Sequence, residues 1–284
     1  MSAVMYSPAM QPQAQGGSTP RVVQRTDVLP VVAVDDLSLS YDGTTRILDR
    51  VSLRVADGEF VALVGPSGCG KTTLLNLCAG LVPHGGDGSV TVMGQPARLG
   101  SPKVGYMLAR DSLLPWKTAL ENASFGMQVR GVDAASRRER AKEMLAQVGL
   151  SGFENAYPKS LSHGMRQRVA LARTFAMDSP LLLMDEPFGA LDAQTKLQLE
   201  DLLLMLSARF KHTVLFVTHD LGEAVALADR IIVLSSRPGR IVADVPVDLP
   251  RPRSIRELQK DARFHELYAH IWASLESGWS RHEG

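Results

Sequence analysis

The sequence predicts an α/β fold built around a phosphate-binding loop, and three observations predict it. Over residues 60 to 75, FVALVGPSGCGKTTLL, an apolar run breaks into a glycine-rich turn and then into helix-forming residues. Near-continuous apolar runs, LLLMDEP, TVLFVTHD and RIIVLSS, recur later with helical stretches between them, as expected of strands covered on both faces. The first two of these end in acidic residues or histidine, at the strand end where open α/β sheets place their ligands.

The glycine-rich turn is the most informative stretch. Gly65, Pro66, Ser67, Gly68, Cys69, Gly70, Lys71 and Thr72, followed by Thr73, fit the pattern G-x-x-x-x-G-K-[ST] between a strand and a helix. Glycines let the backbone curl until its N–H groups point inward, and the helix adds its positive dipole end, so polyphosphate is the natural ligand. Lys71 is placed to reach the terminal phosphates and the Thr72 hydroxyl to hold Mg²⁺. Asp185, at the end of the LLLMDEP strand, is placed to hold the Mg²⁺ shell, and Glu186 to orient or deprotonate an attacking water. His219 closes the next strand in the same way. A plain turn with two solvated acids would not need four apolar residues before it.

Bulk properties exclude several classes. The chain has 284 residues, ordinary globular composition and a formal net charge of +1, which predicts no nucleic-acid partner. No stretch approaches the roughly 18 apolar residues of a membrane span, and the N-terminus lacks a basic region followed by an apolar core, so a cytosolic chain is expected. Cys69 and Cys78 lie on the loop and the following helix, which speaks for reduced thiols. Cys69 reads either as a filler of a variable loop position or as a thiol beside the phosphates.

Residues 1 to 30 lack any period and read as a disordered leader. From Val31 come β-rich runs, VVAVDDLSLSY and ILDRVSLRV, joined by a turn at Asp42 and Gly43, and later HGGDGSVTVMG, a turn plus a strand. Residues from about 118 to 175 are α-rich: ENASFGMQVR, ASRRERAKEMLAQVGL and SHGMRQRVALARTFAM. In the last of these Met165, Val169, Ala172 and Ala176 share one face, while Arg166, Arg168 and Arg173 lie largely off it and read as a solvated basic face. Ser162 and Gly164 open this helix, with Ser162 as N-cap, and its N-terminus is a second anion site about 90 residues from the first. Past Ser236 the chain reads as a proline-studded extended segment and then one amphipathic helix, IRELQKDARFHELYAHIWASLE, packing on the main body or on a partner.

On these motifs in this order the chain resembles the nucleotide-binding subunits of ATP-binding cassette (ABC) importers, over about residues 31 to 250. The resemblance implies a P-loop NTPase cassette with a RecA-like core, an antiparallel β-subdomain and an inserted α-helical subdomain at about 105–175. A leader (1–30) precedes the cassette and a helical tail (251–284) follows it. It further implies ATP and Mg²⁺ as ligands, GPSGCGKT as Walker A, LLLMDE as Walker B with Glu186 as catalytic base, GALD at 189 to 192 as the D-loop, and His219 as the switch histidine. Tyr41 matches the aromatic that stacks on adenine, with packing on the sheet as its other reading. LSHGM matches the signature usually written LSGGQ, keeping Ser162 and Gly164. In the family this signature closes over ATP held by a second subunit, which implies a homodimer of cassettes. Ala109, followed by Arg110, stands where relatives carry the Q-loop glutamine, a departure that bears on how nucleotide state is relayed.

LLPW at 113 to 116 and VLSSRPGRIVADVPVDLPRPR resemble the nitrate, sulfonate and taurine importer ATPases. The resemblance implies an integral membrane permease docking near Leu114 to Trp116, an external substrate-binding protein, and a peripheral position on the cytoplasmic face of the cell membrane. Trp116 reads equally as packed inside its own subdomain. Another importer class, or a soluble ABC ATPase outside transport, shares the core motifs; a small-molecule P-loop kinase has no use for LSHGMRQR followed by GALD.

Overall fold

The structure, a computed structural model, describes residues 29–41, 43–83, 87–108, 112–189 and 191–279. Most of the expected leader, Asp42 of the first turn, the Ala109–Arg110 pair and Ala190 of GALD lie outside the described residues.

Two sheets carry the fold. Strands β1 (Val32–Ser40), β2 (Arg46–Val55), β4 (Asp87–Val92) and β5 (Gln95–Pro96) make a four-stranded antiparallel sheet in the order β2-β1-β4-β5. Strands β3 (Phe60–Val64), β6 (Val104–Met107), β7 (Leu181–Asp185), β8 (Thr213–Val217), β9 (Arg230–Leu234) and β10 (Ile241–Pro246) make a six-stranded sheet in the order β10-β9-β3-β8-β7-β6. Its pairings are parallel except for β10 on β9.

The unbroken apolar character of β3, β7 and β8 follows from their position between two cores. Phe60, Ala62 and Val64 enter one core, while Val61 and Leu63 enter the other, with helix α1 (Lys71–Cys78) and the antiparallel sheet. Alternation survives, but both faces are dry. Phe216 of β8 is fully buried and its ring lies 5.7 Å from that of Phe60 and 6.1 Å from that of Phe188. Burying one such side chain contributes about 1.5–3 kcal/mol.

The helical layer comprises α2 (Ala119–Val129), α3 (Ala134–Gln147) and α4 (His163–Ala176), which pack on one another. Because β6 belongs to the parallel sheet, the helices begin at Ala119 and not near residue 105. Helix α2 opens on a reciprocal cap: the Thr118 hydroxyl accepts the Glu121 N–H, and the Glu121 carboxylate accepts the Thr118 N–H at 2.7 Å. Fully buried Asn122 then pins the preceding loop. Its amide nitrogen donates to the carbonyls of Leu114, Lys117 and Thr118, and its oxygen accepts the Leu114 N–H. The α4 arginines are not a solvated face. Arg166 donates to the Leu161 carbonyl, Arg168 to that of Val148 at the end of α3, and Arg173 to that of Ser112. Each guanidinium satisfies a carbonyl that a helix end or loop leaves open.

The remaining helices are α5 (Ala193–Phe210), α6 (Leu221–Leu227), α7 (Ile255–Leu258) and α8 (Ala262–Trp279). The expected single C-terminal helix is thus two. The break falls at Asp261, whose carboxylate accepts the Arg263 N–H at 2.7 Å and so starts a new helix. The extended segment before them supplies β10, the antiparallel edge strand. The tail packs on the main body: Phe264, Leu267, Ile271 and Leu275, one stripe of α8, are buried, and α8 lies against α6, β9 and β10. Half-buried Arg253 fastens it, donating to the carbonyls of Ala226 and Ala228 at the end of α6 and of Val247 and Leu249 in the tail. Arg253→Met is expected to raise amide hydrogen exchange in α7 and α8 by at least about tenfold, the equivalent of about one charged hydrogen bond, while the parallel sheet keeps its protection.

Candidate functional site: a strand-end cradle for phosphate

The cradle is assembled by register. In the parallel sheet Leu63 pairs with Val217, and Val217 with Asp185, so the carboxyl ends of β3, β8 and β7 finish side by side. The residues that leave those ends are the glycine-rich loop, then Thr218 and His219, then Glu186.

Within the loop, Gly70 adopts a left-handed φ of 105° as N-cap of α1, and a Cβ there would lie 2.6 Å from the Leu48 side chain. Lys71 is buried and donates from Nζ to the carbonyls of Gly65 at 2.8 Å and Pro66 at 3.0 Å, which holds its ammonium back across the loop. The Thr72 hydroxyl donates to Asp185 Oδ1 at 3.0 Å. Burial raises the Asp185 carboxyl above its ordinary range, and the neighbouring Glu186 adds to the rise; the Thr72 bond and Lys71 act against it. A cation placed here would relieve a desolvated carboxylate.

Glu186 follows with a positive φ of 45°, held by its N–H to the Val217 carbonyl (2.9 Å) and by the Gly189 N–H on its own carbonyl (3.3 Å). A left-handed non-glycine residue costs about 1–3 kcal/mol and is kept where the surroundings over-determine it. Here it turns the carboxylate toward His219, whose Nδ1 lies 3.2 Å from Glu186 Oε2. Tyr41, 60% exposed, donates its hydroxyl to Thr73 Oγ1 at 3.4 Å, which sets an open ring beside the start of α1. It does not pack on the sheet.

Ser162 and Gly164 stand apart from this group. The Ser162 hydroxyl accepts the Met165 N–H at 3.2 Å as the N-cap of α4, and a Cβ on Gly164 would come within 2.6 Å of the Thr195 methyl at the start of α5. Among the described contacts of this single chain neither residue meets the glycine-rich loop. Cys69 is buried and burial pushes its thiol up, so it serves as filler and not as a reactive group. Trp116 is 70% exposed on the loop that Asn122 pins, so it does not pack inside its own subdomain.

One residue of the site escapes sequence reasoning. Gly239, in the turn between β9 and β10, donates its N–H to Ile47 and accepts from the Asp49 N–H, and a Cβ on it would lie 2.0 Å from the Cys69 carbonyl. The turn therefore braces the phosphate loop from behind. A glycine between Pro238 and Arg240 looks like any turn glycine, and only the close approach reveals its role. Gly239→Ala is expected to displace the loop and lower affinity for a nucleoside triphosphate by about tenfold or more in a binding titration, whereas Gly278→Ala, where a Cβ would meet nothing closer than 3.5 Å, leaves it unchanged.

The family model described as ABC transporter matches residues 48–189. A putative ATP-binding protein of Brucella abortus is 44% identical over 246 residues, covering 87% of this chain and 94% of that protein. The taurine import ATP-binding protein of Rhizobium johnstonii is 42% identical over 241 residues, covering 84% and 92%. The dimeric structure of MJ0796, a bacterial ABC transporter cassette, superposes with a TM-score of 0.67 at 32% identity, covering 77% of this chain and all of that one. With these motifs on the ends of these strands, the chain belongs to the ABC transporter family as an ATP-binding subunit, an ATPase.

Proposed function

We propose that this ATPase powers import of a small anionic or zwitterionic solute of the taurine, sulfonate and nitrate class through a membrane permease. The observation that carries the reading is the similarity, over nearly the whole length of both chains, to a taurine import ATP-binding protein. Partners follow from the same reading: a second copy of the chain, permease subunits, and an external binding protein that presents the solute. Among the described residues no helix is long and apolar enough to cross a membrane, so on this reading the chain attaches peripherally to the cytoplasmic face through its permease. Exposed Trp116, held on a pinned loop, supports that docking: a rigid aromatic anchor loses little entropy on burial.

In the proposed mechanism the loop from Gly65 to Thr73 binds the phosphates of ATP through its backbone N–H groups and Lys71, with Tyr41 against the base. Thr72 and Asp185 suit Mg²⁺, a hard ion that takes few protein oxygens alongside substrate phosphates. An Mg²⁺ held by Thr72 and Asp185 would supply charge neutralisation on the transferring phosphoryl group. Glu186 takes a proton from the attacking water, and His219 orients the carboxylate that does so. Ser162 and Gly164, which stand away from their own chain's loop, serve the triphosphate held by the partner copy, so each of two sites needs both chains.

Lys71→Ala is expected to lose ATP affinity or turnover. Glu186→Gln is expected to bind ATP and dimerise in size-exclusion chromatography while hydrolysing it at least about 100-fold more slowly; turnover at the parental rate would remove Glu186 from the role of base. The transport reading is tested by co-purifying the chain with its membrane partner and measuring ATPase stimulation by binding protein loaded with taurine, an alkanesulfonate or nitrate. Stimulation by one of these is expected, and failure to retain any membrane protein would favour a non-transport ATPase. Trp116→Ala is expected to weaken that co-purification and to leave ATP binding by the isolated chain unchanged.

A further inference from the structure

A cavity of about 380 Å³ lies between the start of α5, α6 and the C-terminal tail, away from the phosphate loop. Its charged lining is Lys196 and Glu200 of α5 with Asp220, the N-cap of α6, and Glu223 of α6, and Gln259 of the tail adds a neutral amide. Lys196, Asp220 and Glu223 are already engaged with one another. The Lys196 ammonium bonds Asp220 at 2.5 Å and Glu223 at 2.6 Å; Asp220 also accepts the Gly222 and Glu223 N–H groups, and Glu223 accepts the Thr218 hydroxyl. Glu200 is different. It is only 4% exposed, it lines the cavity one turn beyond Lys196, and among the described residues no hydrogen bond or ion pair reaches its carboxylate. Its carboxyl opens on the cavity and meets no protein donor there, so a cation entering that space would find an uncommitted carboxyl.

The lining defines what would satisfy it. Once Glu200 is ionised, three carboxylates face one lysine, so the cavity then carries an excess of negative charge. A divalent metal is a poor fit, because Asp220 and Glu223 are already committed to Lys196 and a single carboxylate is left. The space admits several heavy atoms, and its wall is apolar, with Leu197 of α5 and Ile255 and Phe264 of the tail. Asp220, 40% exposed, lies toward solvent, whereas Glu200 lies deep. We propose that this cavity is a binding site for a small primary alkylammonium ion, with the ammonium on Glu200 and the hydrocarbon body against Leu197, Ile255 and Phe264.

The lining includes Leu191 of GALD and Asp220, the residue after His219, but none of the phosphate-loop residues, and the test needs no ATP. Burial, with Glu223, Asp220 and Asp201 nearby and only Lys196 opposing, raises the Glu200 carboxyl to about 8. The cation binds the ionised form, so below that value binding must expel a proton, and affinity rises by up to about tenfold per pH unit from pH 6 to 8 before levelling.

The experiment titrates propylammonium chloride into the full-length protein at constant ionic strength, read by saturation-transfer NMR and by the side-chain carboxyl signals of ¹³C-labelled glutamate. Saturable binding with Kd on the order of 1 mM is expected, with one glutamate carboxyl shifting as it loses its proton. Glu200→Gln is expected to weaken binding at least tenfold with unchanged circular dichroism. Should that variant not fold, Leu197→Phe, which fills the cavity and keeps the carboxyl, is expected to abolish binding. Absence of saturable binding, equal binding of neutral propan-1-ol, or parental affinity in whichever variant folds would overturn the proposal.

Discussion

Parallel pairing of β3, β8 and β7 in one register is the constraint on which the rest depends. The three strands have similar length and start level, so their ends finish level, and each end releases one part of the site: the phosphate loop, His219, and Glu186 behind Asp185. A slip of one residue in a buried strand would turn Phe216 and Val214 out of one core and into the other, so packing enforces the register. The chemistry is therefore positioned by hydrophobic packing some distance from it. The polar bonds of the site, Thr72 to Asp185 and His219 to Glu186, join groups that the sheet has already brought together.

The two cores divide the labour. One joins the antiparallel sheet, α1 and the near face of the parallel sheet, and so fixes the phosphate loop to Leu48 and to the turn at Gly239. The other joins the far face to the helical layer and the tail. Within that layer three arginines satisfy loop and helix-end carbonyls at Leu161, Val148 and Ser112, and a buried asparagine bonds Leu114, Lys117 and Thr118, which explains how that irregular segment holds one shape while presenting Trp116 to solvent. The tail is likewise held by burial of one helical stripe and by Arg253, and it closes the cavity that Glu200 lines. Segments outside the motif-bearing strands thus supply the shape of both the docking loop and the acidic cavity.

Much of this was legible in the chain. The pattern from Gly65 to Thr72, the apolar runs ending at Asp185 and His219, and the capped start of α4 at Ser162 are local signals, because each rests on the residues that flank it. What tertiary structure alone decided was of another kind. The arginines of α4 have helical spacing compatible with a solvated face, yet their partners at Leu161, Val148 and Ser112 lie on segments that meet α4 only after folding. Gly239 resembles any turn glycine until its approach to Cys69 is seen. Strand β6 is too short to announce itself, and the break between α7 and α8 sits in a stretch that keeps helical periodicity across it. The sequence by itself determined the fold class, the phosphate loop and the acidic strand end, since those depend on backbone period and on residue types at fixed short spacing. Only the tertiary structure decided which distant groups brace the loop, where the arginines go and which carboxyl is buried without a partner, since long-range proximity leaves no local trace.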